Sequence, residues 1–134
     1  MGMEKVQQQK LIDAAIAAQK KAYAPYSGYH VGAALLTTDG KIVTGCNIEN
    51  SSYTPTVCAE RVAIFKAVSE GARDFSAIAV VTDNGGSPCG VCRQVMGEFM
   101  LKGTVLIANS NGELLEEMRV EELLPRAFTN ESLD

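Results

Sequence analysis

The chain has 134 residues, 46% of them apolar, and sixteen Asp/Glu against twelve Lys/Arg give it a net charge of −4. A chain of this size buries roughly two thirds of its unfolded surface in one core, which predicts a single domain over 1–134 and excludes a multi-domain reading. The acidic balance, with Lys20-Lys21 the only adjacent basic pair, argues against a nucleic-acid surface. No segment approaches the roughly 18 apolar residues of a membrane span, and MGMEKVQQQK lacks a signal-peptide core, so a cytoplasmic protein acting on a small molecule is expected.

Residues 4–22 place Val6, Leu11, Ile12, Ala15, Ile16 and Ala18 at the spacing of an amphipathic helix, which Pro25 stops. HVGAALLTTDGKIVTGCNIEN then predicts two strands joined at Asp39-Gly40, a pair suited to tight hairpin turns. From Val57 to Glu70 a second helix is expected, with an apolar stripe of Val62, Phe65, Ala67 and Val68 and with Gly71 at its C-cap. SAIAVVT is a continuous apolar run, as in a strand buried on both faces. A helix from Cys89 to Leu101, a strand TVLIAN, a turn at Asn111-Gly112, a weaker strand over 113–119 and a short helix over 120–124 complete the order α-β-β-α-β-α-β-β-α. That order predicts an α/β fold, three layers (α/β/α) around a mixed five-stranded sheet, because helix crossovers favour parallel strands and hairpins antiparallel ones.

Cys58-Ala59-Glu60 and Pro88-Cys89-Gly90-Val91-Cys92 fall at the starts of two of these helices. A helix N-terminus favours thiolate over thiol, and thiolate is the form that binds zinc. Three cysteine ligands, Cys58, Cys89 and Cys92, leave the fourth tetrahedral position to water, the form of a catalytic site. The residues alone leave open a structural site completed by Cys46, or a redox pair of Cys89 and Cys92, but neither explains Glu60 two positions from a ligand. Cys46 otherwise reads as a small buried strand residue. Three thiolates overcharge zinc, and Arg61 is placed to donate hydrogen bonds to the sulfurs; the alternative is a surface ion pair. The only histidine, His30, reads as solvent-facing. Asn47 and Glu49, spaced i, i+2 at a strand end, point the same way and form a candidate pair for a sugar hydroxyl, or else a solvated loop start.

A first ligand two residues before a Glu, followed by Pro-Cys-x-x-Cys, is the pattern of the zinc deaminases. YAPYSGYHVGAAL, GCNIENSSY, CAERVAIFKAVSEGARDF, SPCGVCRQVMGEF and VEELLPRAF extend the likeness over nearly the whole chain, which closely resembles the small cytidine deaminases. The resemblance implies hydrolysis of cytidine and deoxycytidine to uridine and deoxyuridine plus ammonia, in pyrimidine salvage, with one zinc per subunit and Glu60 as proton carrier. It further implies that Asn47 and Glu49 hold the ribose 3′-hydroxyl, that the Ala59 carbonyl holds the amino group, and that the Cys89 amide stabilises the new hydroxyl at C4. Tyr29 stands where the family has Phe against the base, and Phe128 matches an aromatic that reaches the base from a neighbouring subunit of a homotetramer with shared sites. Antibiotic-directed relatives diverge at GCNIEN, which favours a nucleoside. The competing readings are a deaminase of another aminated heterocycle, an inactive zinc-binding module, and a polynucleotide deaminase, which the acidic charge disfavours.

Overall fold

The computed structural model describes residues 3–133. Its elements are α1 (Lys5–Gln19), β1 (Gly32–Thr37), β2 (Ile42–Cys46), α2 (Ala59–Ser69), β3 (Phe75–Thr82), α3 (Gly90–Met100), β4 (Thr104–Asn109), β5 (Leu114–Arg119), α4 (Val120–Leu123) and a 3-10 turn at Asn130–Leu133. The strands form one mixed sheet in the order β2-β1-β3-β4-β5. The β1–β2 hairpin, β1–β3 and β4–β5 are antiparallel, and β3–β4, joined through α3, is parallel.

The alternation of side chains along the strands divides the core in two. Ala33, Leu35, Ile78, Val80, Val105 and Ile107 face α2, α3 and α4, while Ala34, Leu36, Ala77, Ala79, Val81, Leu106 and Ala108 face α1. The face under α1 is rich in alanine, so that helix sits close to the sheet. At Gly32 the approach leaves no room for a side chain: a Cβ there would overlap the Ala15 carbonyl and meet Gln19 N at 2.5 Å. Both obstacles are backbone, which cannot rotate away. Gly32→Ala should therefore destabilise the protein by about 1–3 kcal/mol, the usual cost of overpacking, read as a lowered urea midpoint; an unchanged midpoint would contradict this packing.

Two details differ from the stripes expected along the helices. In α2 the buried face is Ala59, Glu60, Ala63, Ile64 and Ala67, and Phe65 is 48% exposed. Gly45 of β2 lies directly beneath this helix, where a Cβ would meet the Ala59 carbonyl at 2.5 Å and Ala63 N at 2.6 Å. Only the alanine face fits so close an approach, which turns the phenylalanine outward. In α1, Val6 is 82% exposed, because the apolar face that meets the sheet begins at Leu11 and Ile12.

Candidate metal centre and active-site pocket

The sheet brings the two cysteine motifs together at one end. Strand β3 ends at Thr82 and the loop after it leads to Cys89, the N-cap of α3; Cys58, after an irregular segment from β2, is the N-cap of α2. Both cap residues have extended backbone, and Cys92 lies within the first turn of α3. All three thiols thus stand at positive helix ends. Their sulfurs lie within 4.8 Å of one another, and Cys58 Sγ is 3.8 Å from Cys89 Sγ. Sulfurs held tetrahedrally at about 2.3 Å from one zinc are about 3.8 Å apart, so the donor set and its spacing fit that ion. None of the three is in a disulfide. Cys46, half-buried at the end of β2, is not part of the cluster, and exposed His30 turns its ring Nδ1 to the Gly28 carbonyl, 3.0 Å away.

Charge in the cluster is unevenly held. Arg61 Nη2 donates to Cys58 Sγ at 3.3 Å, and the Arg61 Nε is buried without an acceptor among the described residues. A hydrogen bond from the Cys92 thiol, followed by the guanidinium of Arg61, pushes the Cys58 thiol down to about 5 against the opposing effect of burial. Cys92 is correspondingly pushed up, chiefly by that hydrogen bond and by burial. Of the pair, Cys58 holds the negative charge, because its sulfur accepts from the Cys92 thiol and then from Arg61. Glu60 is 4% exposed, and burial, reinforced by the charge on Cys58, raises its carboxyl to about 7.

Beside the cluster opens a pocket of about 300 Å³, with Cys58, Glu60 and Cys89 at one side and Ser27, Tyr29, Asn47 and Glu49 at the other. Two isolated β-bridges position the latter group. Ile48 bridges to Tyr23 on one side and Val57 on the other, so the Asn47–Glu49 segment is tied directly to the residue before Cys58. Asn47 Oδ1 accepts from Val31 N at 2.9 Å and its Nδ2 donates to the Tyr29 carbonyl at 2.8 Å, leaving one amide hydrogen without an acceptor among the described residues. Glu49 accepts from the backbone N–H groups of Tyr26 and Ser27 and from the Ser27 hydroxyl, and the hydroxyl foremost holds its carboxyl below the ordinary range. A more open groove of about 660 Å³ lies near Asp74, Glu98 and Lys102; its lining includes no thiol and no buried ionisable group, which makes the smaller pocket the candidate site.

Two of the residues expected to contact substrate, Ala59 within this chain and Phe128 in a neighbouring subunit's site, are not in the wall of this pocket. Ala59 is fully buried with its carbonyl over Gly45, and Phe128 is 60% exposed beyond α4, its carbonyl accepting from Gln94 Nε2 at 2.8 Å. Conversely, two residues matter that motif reading passes over. Ser27 orients Glu49, as described. Arg93 donates from Nε to the Pro88 carbonyl (2.8 Å), from Nη2 to Ser87 Oγ (2.9 Å) and from Nη1 to the Leu123 carbonyl (3.2 Å), bracing the residues just before Cys89. Its position immediately after PCGVC was the available signal.

Residues 5–108 match the family model described as the cytidine and deoxycytidylate deaminase zinc-binding region. The chain is 54% identical to a cytidine deaminase of Sporosarcina psychrophila, with 93% of each chain covered. It is also 54% identical to one of Halalkalibacterium halodurans, covering 94% of this chain and 97% of that one. The crystal structure of a cytidine deaminase from Burkholderia pseudomallei superposes with a TM-score of 0.86 at 48% identity, over 94% of this chain and all of the other. A likeness that runs through the whole sheet and not only through the cysteine motifs reflects common descent, and the chain belongs to the cytidine and deoxycytidylate deaminase family.

Proposed function

We propose that this protein hydrolyses free cytidine and deoxycytidine to uridine and deoxyuridine, releasing ammonia, with one zinc ion per subunit held by Cys58, Cys89 and Cys92. The observation that carries this reading is a buried carboxyl, Glu60, in the same 300 Å³ pocket as two of the thiols and the Asn47/Glu49 pair. Cys58, Cys89 and Cys92 would hold the zinc, which when bound would supply the nucleophile by lowering the pKa of a water toward neutrality. Glu60 would accept the proton of the attacking water and deliver it to ring N3 as the C4–O bond forms. It then carries the second proton to the exocyclic amine, which leaves as ammonia. A carboxyl raised to about 7 by burial is suited to both accepting and donating. Arg61 draws charge from Cys58 and so limits the overcharging of the metal.

Toward the sugar, Glu49 remains ionised and, with the remaining amide hydrogen of Asn47, binds the ribose 3′-hydroxyl. Tyr29 lies against the base. The N–H of Cys89, at the start of α3, faces the new hydroxyl at C4. Phe128, which does not reach the pocket of its own chain, serves the site of a neighbouring subunit in a homotetramer. The domain is the whole of 1–134, and pyrimidine salvage in the cytoplasm is its setting. The net charge of −4 supports a free nucleoside over a polynucleotide.

Zinc-replete protein should release ammonia from cytidine and deoxycytidine, and not from a short cytosine-containing single strand; in sedimentation it should run as four copies. Turnover of the strand alone, or of neither nucleoside with zinc confirmed at the site, would overturn the reading.

A further inference from the structure

Tyr29 carries a hydroxyl that contact with a planar ring does not require, and the fold gives it a defined partner. Its Oη donates to Asn84 Oδ1 at 2.9 Å. The same oxygen accepts from the hydroxyl of Thr82 at 3.3 Å, and Thr82 Oγ1 in turn accepts from Gly86 N at 2.7 Å. The Tyr29 hydroxyl also occupies the space in which a side chain at position 86 would begin, since a Cβ there would overlap Oη. Two independent features, a hydrogen bond and a glycine-shaped recess, therefore meet at one oxygen.

Both partners of this contact are joined from below through the buried side chain of Gln19. Gln19, at the end of α1, donates from Nε2 to the His30 carbonyl at 3.0 Å and to Ser110 Oγ at 2.9 Å, and Ser110 Oγ donates to Asp83 Oδ1 at 2.6 Å. The roots of the Tyr29 loop and of the Asn84 loop are thus tied together below, and the hydroxyl ties them above. The second loop runs on through Gly86 and Ser87 to Cys89, so the distance between the loops is the width of the pocket.

We propose that Tyr29 is a positioning residue, whose hydroxyl clasps Asn84 and seats in the recess at Gly86 to set the width of the pocket between the Asn47/Glu49 side and Cys89. The kinetic part of this inference rests on the nucleoside deaminase reading; the structural part does not. In Tyr29→Phe, hydrogen exchange at the Gly86 amide should accelerate about fivefold, the worth of one neutral hydrogen bond, with zinc content unchanged. KM for cytidine should rise by a similar factor, about fivefold, with kcat altered less than about twofold. Gly86→Ala should raise KM in the native background, where the methyl meets the hydroxyl, but add little in the Tyr29→Phe background, where the oxygen is gone. Unchanged exchange in Tyr29→Phe would overturn the clasp whatever the enzyme's substrate. Altered exchange with KM unmoved, or KM effects that simply multiply in the double variant, would overturn its role in setting the pocket. Failure of the deaminase reading would show separately, as an unmutated protein that turns over neither nucleoside.

Discussion

Glu60→Gln is expected to lower kcat by about 10²–10⁴-fold, the range for losing a general acid/base, while leaving zinc content unchanged. The amide has nearly the same volume as the carboxyl and sits in the same buried position at the start of α2, so substrate and metal still enter. What is lost is the capacity to move a proton twice in one cycle. Stability should be kept or slightly raised. Burial raises the carboxyl from 4.5 to about 7, which means that the ionised form is the one the fold disfavours, and a neutral side chain removes a cost that builds up between those two pH values and stays above them. Steady-state kinetics beside metal analysis checks this. Activity within about tenfold of the unmutated protein would remove Glu60 from the proton path.

Cys89→Ala should abolish zinc retention and, with it, both turnover and a large share of stability. Cys89 is the most exposed of the three ligands, yet two thiols and water hold zinc far less tightly than three thiols do. A ligand present at ~1,000 times its Kd contributes about 4 kcal/mol to the folded state, and zinc at a three-thiolate site is held at least that firmly. The sheet and its two apolar cores remain, so the variant should fold and melt earlier rather than fail to fold. A chelator added to the unmutated protein should reproduce the shift. Cys46→Ala, outside the cluster, should retain zinc and activity. A Cys89→Ala protein that still binds zinc and still turns over would sink the three-cysteine assignment.

Much of this molecule is legible along the chain because its chemistry and its elements are local in sequence. CAE and PCGVC put candidate ligands and a candidate proton carrier within a few residues of each other and of a helix start, so spacing alone points to a metal site with an open position. The strand runs GAALLT, FSAIAVVT and TVLIAN are apolar on both faces, and that pattern identifies a sheet covered on both sides before any contact is known.

What the chain order does not contain is which faces approach closely and which polar groups find one another. Phe65 reads as core by spacing, but the bare Gly45 beneath α2 admits only the alanine face, and the aromatic turns out to solvent. The bond from Tyr29 to Asn84 spans 55 positions, and the contact of Arg93 with the Leu123 carbonyl spans 30. Composition and motif determined the element order and pointed to the candidate metal ligands and the candidate proton carrier, because these follow from local periodicity and from donor spacing within short segments. Only the tertiary structure decided that Ser27 orients Glu49, which thiol holds the charge, and how Arg93 braces the segment before Cys89, because each depends on side chains meeting across separate elements at distances of a few ångströms.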